Sequence, residues 1–526
     1  MHVDELPADP EALKALVIGA HARLAEERAH HTAEVAKITA DRDRLRTIIA
    51  ALQRHRFGPR SERLDPDQLA LGLEDIEQSV AALEEEHARK DPRPARAPAS
   101  PRKANRGALP AQLPRVEQLV DVASTSCPCC AAQMTRIGED VAERLDIVPA
   151  SLRVLVTRRP KYACRACPGT VVQADAPARL IEGGLPTEAL IAQIVVSKYA
   201  DHTPLYRQAQ IYARQGIELD RSTLCDWVGR AAWWLRPLHE RLLVHLRAST
   251  KLFADETPAP VLDPGRGRTK TGQLWAYARD DRPWAGPTPP AVAYVYAPDR
   301  SAAQVINHLQ GFTGVLQVDG YGAYRKLAQT SAVTLAFCWS HARRRFYEIA
   351  KPGGAPIATE ALARIAELYA IEAGIRGRDA GQRRASRQEK TKPLLDALEP
   401  WLREKLATVM QSSPIADAIR YALKHWQGLC RFLDDGRIEI DSNTVERAIR
   451  PLALTRKNAL FAGSDGGGQH WAIAASLIET CKLNAINPQD YLADILQRLV
   501  AGHTIDRIDE LLPWAWQASH GVKRAT

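Results

Sequence analysis

At 526 residues the chain is too long for one compact core, and the usual size of a folding unit makes it multidomain, with roughly three to five units. Hydrophobic residues at 45% and charged residues at 25% exclude a fully disordered chain and a fibrous repeat. A net charge of +9 and a pI near 9.1 point to a polyanionic partner, because Lys and Arg neutralise phosphates and release counterions.

The N-terminus lacks the basic-then-apolar pattern of a signal peptide, and no run approaches the roughly 18 apolar residues of a membrane helix. The expected location is cytoplasmic, with no membrane partner. From Glu11 to about Gln53 the pattern is helical, with Val17, Leu24, His31, Ile38, Leu45 and Leu52 recurring every seven residues. The companion seam is charged in its middle, so a single solvated helix and a paired coiled coil both remain open for region 1–90. Residues 91–115 carry six prolines and six basic side chains with little that could form a core, which predicts a basic linker.

Five of nine cysteines fall in one short stretch, a distribution that points to metal rather than disulfides. Cys127-Pro-Cys129-Cys130 and Cys164-Arg-Ala-Cys167 form two knuckles 33 residues apart, with strand-like alternation from Val141 to Arg159 between them. Cys127, Cys130, Cys164 and Cys167 supply four thiolates for a structural tetrahedral Zn2+, with Cys129 a possible substitute for Cys130. This defines a zinc-binding module over 116–180.

Glu188–Tyr199, Pro204–Arg214 and Ser222–Trp234 read as three successive helices inside a region 185–247. They suit a helix-turn-helix whose third helix presents Arg221, Thr223 and Arg230 to nucleic acid, although any three-helix bundle has the same periodicity. After Ser249 strand-like runs follow at Leu252–Ala254, Leu274–Arg279, Ala291–Tyr296, Val315–Val318 and Val333–Phe337, with a helix near Ser301–Leu309. Three strands, a crossover helix and more strands predict an RNase H-like α/β core over 248–480.

Asp255 and Asp319 each end one of these runs, and Glu446 lies in the first turn of a later helix. Carboxylates converging from rigid elements are what hard divalent cations require for phosphoryl transfer. Singly, each has an ordinary explanation: a strand-end Asp is a turn former, and Glu446 behind an Asn443 cap completes a capping box. Arg447, Arg450, Arg456 and Lys457 give that helix a basic surround suited to a DNA phosphate or to plain ion pairs. Cys338 and His341 are read as structural or positioning groups, since no second ligand pair lies nearby.

The motifs together resemble the transposases of the insertion sequence 66 family. They are Arg-Phe-Gly-Pro-Arg-Ser-Glu-Arg-Leu (56–64), the two knuckles with Gly-Glu-Asp-Val-Ala-Glu-Arg-Leu-Asp (138–146), Ala-Asp-Glu-Thr-Pro (254–258) and Val-Asp-Gly-Tyr (318–321). Cys-Trp-Ser-His-Ala-Arg-Arg-Arg-Phe (338–346), Glu-Arg-Ala-Ile-Arg-Pro (446–451) and Arg-Lys-Asn (456–458) complete the set. The likeness runs from about residue 50 to Trp516. It departs from the pattern at Asp-Ser-Asn (441–443) and at the extra Cys129.

The resemblance implies a DDE transposase whose triad falls on Asp255, Asp319 and Glu446, holding two Mg2+ or Mn2+ ions. It also implies that a helical insertion, here about 355–435, accounts for the 127 positions between Asp319 and Glu446, and that 481–526 is a small helical piece. Its partners would be the DNA of the element's ends and of the target, a second copy of the chain in a synaptic complex, and accessory proteins of the same element. A noncatalytic DNA-binding regulator and a nuclease without strand transfer remain as alternatives.

Overall fold

The computed structural model describes residues 9–55, 79–80, 82–83, 86, 115–122, 124–148, 151–165, 170–263, 267–351 and 354–520. The 56–64 motif, nearly all of the basic linker and Cys167 lie outside the described residues. Within them the protein is mixed α/β, with two sheets and many helices.

Helix α1 (Pro10–His55) comes first. The first sheet is built on a long antiparallel hairpin, β2 (Thr135–Val148) with β3 (Ser151–Ala163), in which alternate residues such as Leu152, Val154 and Val156 are buried. Strand β1 (Arg115–Leu119) runs parallel to β3, and β4 (Val171–Gln173) pairs with the other end of β3.

Helices α2 (Glu188–Tyr199) and α3 (Leu205–Arg214) lead into α4 (Arg221–Arg247). The last runs thirteen residues beyond Trp234, through Pro237. Proline removes one helical hydrogen bond, but Leu235, Leu238, Leu242 and Leu246 are fully buried and hold the helix together. Helices α2–α4 share one continuous hydrophobic core with the second sheet and the C-terminal helices, and are not a detached recognition unit.

The second sheet has the order β7-β6-β5-β8-β9. Strands β5 (Lys251–Val261), β6 (Lys270–Arg279) and β7 (Ala291–Ala297) are antiparallel neighbours; β8 (Val315–Val318) and β9 (Thr334–Phe337) run parallel to β5. The parallel pairings require crossovers, made by α5 (Ala302–His308) and α6 (Gly322–Thr330). Helix α7 (Trp339–Ala350) follows β9.

The chain then becomes helical: α8 (Pro356–Ile375), α9 (Ala380–Ser386), α10 (Lys392–Thr408), α11 (Pro414–Lys424) and α12 (Trp426–Cys430) enclose a second core around Ile365, Leu398, Ile419 and Phe432. Its centre holds a buried ion pair, Arg387 to Glu372 at 2.7 and 2.8 Å. Helices α13 (Asn443–Ala459), α14 (Asp465–Leu483), α15 (Pro488–Val500) and α16 (Pro513–Ser519) return to the first core.

Two histidines of that core are held neutral. His239 shares a 2.9 Å hydrogen bond with the Tyr294 carbonyl, and burial pushes its pKa down to about 4; burial takes His470 down to about 3. An unfolded chain protonates histidine near pH 6.5, so their stabilising contribution is complete above that pH and is lost as pH falls toward 4. We expect thermal denaturation to show a lower Tm at pH 5 than at pH 7, with about 2 kcal/mol per ring at stake. His239→Gln, which keeps an amide donor and does not titrate, should flatten the slope.

Candidate active site and metal-binding module

Strands β5 and β8 pair in parallel from Lys251↔Val315 to Phe253↔Gln317. Asp255 and Asp319 each lie two positions beyond the last pair. Alternate strand residues share a face, so the two carboxylates leave the same side of the sheet where β8 ends and β5 stands open. Asp255 does not end its strand: β5 continues against β6 to Val261, correcting the reading from sequence. Gly320 has φ +98°, which lets the chain turn immediately after Asp319.

Glu446 comes from α13, which packs on β5 and β6. The N-cap of this helix is Ser442, not Asn443, because the Asn443 side chain instead donates to Asp441 at 2.7 Å. Glu446 therefore sits one position past the place a capping box needs, and the Ser442 N–H goes to Cys338 Sγ at 3.2 Å. From the helix end Glu446 Oε1 receives the Ser442 hydroxyl at 3.4 Å.

Ion pairing separates these three groups from their neighbour Glu256. Burial first, then Glu256, with Asp319 and Glu446 adding, push Asp255 up to about 7. Glu256 is neutralised by Arg300 and accepts the Tyr324 hydroxyl at 2.9 Å. Asp255 and Asp319 accept one nearby backbone N–H each, from Glu256 at 2.9 Å and Tyr321 at 2.8 Å. Among the described residues no Lys or Arg forms an ion pair with Asp255, Asp319 or Glu446. Such uncompensated oxygen ligands fit a hard divalent cation.

The surroundings fix the geometry. The buried Gln317 amide both donates to the Glu439 carbonyl and accepts the Glu439 N–H, each at 2.9 Å, tying the approach to α13 onto β8. Tyr421, on α11 of the helical insertion, donates its hydroxyl to the Asp319 carbonyl at 2.6 Å. Nothing local in the sequence marks Tyr421, which lies 102 positions from Asp319. Removing its hydroxyl leaves a part-buried carbonyl short of a donor, at a cost of about 1–3 kcal/mol. Tyr421→Phe should therefore lower the Tm measurably, as thermal denaturation would read.

The basic candidates divide. Arg447, Arg450 and Lys457 are exposed, and their side chains make no hydrogen bond or ion pair among the described residues. Arg456 instead holds β5, donating to Thr257 Oγ1 at 3.0 Å and to the Pro258 carbonyl. Arg230 pairs with Asp226 one turn earlier at 3.0 Å and is 17% exposed, whereas Arg221 and Thr223 at the start of α4 are half-buried.

At the far end of the β2–β3 hairpin, Thr135 pairs with Ala163, so the strands return Cys164 to the first knuckle. Ligand atoms of Cys127, Cys130 and Cys164 lie within 4.8 Å of one another, with Cys130 Sγ and Cys164 Sγ 3.8 Å apart. Cys129 turns away to Thr170 Oγ1 at 3.6 Å. Backbone N–H groups of Cys129 and Cys130 pull the Cys127 thiol down to about 7, favouring the thiolate a metal needs.

The family model described as Transposase IS66 family matches residues 183–470, more than half of the chain. The chain belongs to the IS66 transposase family. Three further models of that family agree: the zinc-finger binding domain of transposase IS66 at 124–168, the IS66 C-terminal element at 476–514, and Transposase C of IS166 homeodomain at 44–117. The uncharacterized protein y4jD of Sinorhizobium fredii is 48% identical over 484 residues, covering 90% of this chain and 94% of that protein. The uncharacterized protein y4qI of the same organism is 44% identical over 538 residues, covering 97% and 98%. The IS66 match at 183–470 takes in helices α2–α4 together with the second sheet, in keeping with their shared core. The zinc-finger match falls on the thiol cluster, and DNA is the partner that these family domains support. No helix among the described residues is long and apolar enough to cross a membrane.

Proposed function

We propose that this IS66-family chain cleaves DNA at the ends of an insertion sequence and joins the freed 3′ ends to target DNA, on an RNase H-like core. What supports the reading is that Asp255 and Asp319 follow the β5–β8 pairing at matching positions, that Asp319 and Glu446 both act on the Asp255 carboxyl, and that none of the three pairs with a Lys or Arg among the described residues. Asp255, Asp319 and Glu446 would hold two divalent ions, Mg2+ or Mn2+. Bound there, such ions activate the attacking oxygen and stabilise the leaving 3′ oxygen of an in-line displacement.

The protein's own share is placement. Gln317 and Tyr421 fix the segments carrying Glu446 and Asp319, and Arg300 keeps Glu256 out of the ligand set. Exposed Arg447, Arg450 and Lys457 beside Glu446 would take phosphates of the DNA strand, with Arg221 and Thr223 as further contacts. Cys127, Cys130, Cys164 and Cys167 would hold the structural zinc, with Cys129 left out of the ligand set. Synapsis of two ends calls for more than one copy of the chain, working in the cytoplasm on DNA, and accessory proteins of the element may be added to the assay where needed.

The test is incubation of the intact protein with Mg2+ and labelled DNA carrying the element's ends, with products resolved on a denaturing gel. Cleaved and joined products support the reading; cleavage without joining reduces it to a nuclease, and binding without cleavage to a regulator.

A further inference from the structure

Two helix starts meet at the third carboxylate. Cys338 caps α7 and His341 lies in its first turn; Ser442 caps α13 and Glu446 lies in its first turn. The Trp339 N–H donates to the Ile440 carbonyl at 3.1 Å and the Ser442 N–H to Cys338 Sγ at 3.2 Å, so the two starts are stitched together. In that frame His341 Nδ1 lies 3.6 Å from Glu446 Oε1. The same nitrogen is buried and has no hydrogen-bond partner among the described residues.

The distance discriminates between two roles. A hydrogen bond between these atoms would close to about 2.7–3.2 Å. Two atoms that ligate one cation at about 2.0–2.2 Å each sit roughly 3 to 3.5 Å apart. The observed 3.6 Å is too long for a hydrogen bond and lies just above the second range, and the ring nitrogen beside this carboxylate has no other partner among the described residues. Cys338 Sγ lies within 4.8 Å of both atoms, is buried and accepts the Ser442 N–H.

We propose that His341 Nδ1 joins Glu446 as a ligand of one of the active-site divalent ions, making that position a mixed nitrogen and oxygen site. The proposal rests on the assignment of Asp255, Asp319 and Glu446 as metal ligands. Imidazole suits first-row transition ions, whereas Mg2+ takes oxygen ligands, so this position favours Mn2+ over Mg2+.

The experiment is pulsed electron paramagnetic resonance on the intact, zinc-loaded protein with Mn2+ added, using unlabelled and 15N-histidine-labelled samples. Residues 124–170 contain no histidine, so a nitrogen coupling cannot arise from Mn2+ in the thiol module. The expected result is a 14N coupling that changes to 15N on labelling, vanishes in His341→Gln, and is accompanied there by Mn2+ binding weakened by about tenfold or more. The labelled wild-type protein gives the answer even where the variant folds poorly. Mn2+ binding that is lost in Asp319→Asn but shows no histidine coupling overturns the role of His341 and leaves the carboxylate assignment standing. A coupling that survives in His341→Gln overturns it as well. Mn2+ binding indifferent to Asp319→Asn removes the carboxylate assignment and this proposal with it.

Discussion

Asp319→Asn and Glu446→Gln should each reduce DNA cleavage and joining by roughly a thousandfold or more, because several kcal/mol of transition-state stabilisation disappear and each ~1.4 kcal/mol is tenfold in rate. Both substitutions keep the side chain's size and remove its charge. Neither carboxylate forms an ion pair with Lys or Arg among the described residues, so the fold loses little: Asp319 accepts one nearby backbone N–H, and Glu446 faces Ser442 Oγ at 3.4 Å and His341. Glu256→Gln is the informative control. It sits beside Asp255 yet is bound to Arg300 and Tyr324, so its loss should lower the Tm and leave far more activity than the other two. Single-turnover cleavage assays with matched Tm and DNA-affinity measurements separate these outcomes. Wild-type activity in Asp319→Asn would sink the proposed triad.

Removal of zinc should unfold the thiol module and spare the rest. The hydrophobic cluster at that end of the hairpin consists of little more than Cys127, Met134 and Cys164, too little apolar surface to hold a fold by burial alone. A structural zinc site contributes on the order of 10 kcal/mol, so the metal takes the place of a core. Chelation, or Cys164→Ser, is expected to release about one zinc per chain and to make the segment from 115 to 178 sensitive to limited proteolysis. The transition of the large core around the second sheet should stay where it was, since that core is assembled almost wholly from residues beyond 180. Cys129→Ser, whose sulfur faces Thr170, should keep its zinc. Zinc content by atomic absorption decides between Cys129 and Cys130 directly.

Local signals were legible wherever chemistry and periodicity lie close together in the chain. The five strand runs, the helices at 188–199 and 205–214 and the helical stretch after 355 all depend on neighbours within a few residues, and the structure places elements at each. The errors have the same origin. Asp255 reads as a strand end because Glu256 and Thr257 are polar, yet pairing with β6 carries β5 on to Val261. Asn443 reads as the cap of α13 from its residue type alone, yet its side chain is tied to Asp441 two positions back and Ser442 takes the cap position. Arg230 pairs with Asp226 one turn back on its own helix, whereas Arg456 finds its partners, Thr257 and the Pro258 carbonyl, only through the tertiary fold.

By itself, then, the sequence determined the family, most of the secondary-structure elements and which carboxylates and thiols are the candidates, since residue type and short-range spacing are properties of the chain. Only the tertiary structure decided that Asp255 and Asp319 leave one face in the same register, that Glu446 escapes the capping role, and that Tyr421 and His341 reach the site from other elements. Those facts depend on which strands pair and which helices cross, contacts between residues up to two hundred positions apart. Burial and the nearby carboxylates are what push Asp255 above the ordinary carboxylate range, and neither is a property of any local stretch of the chain.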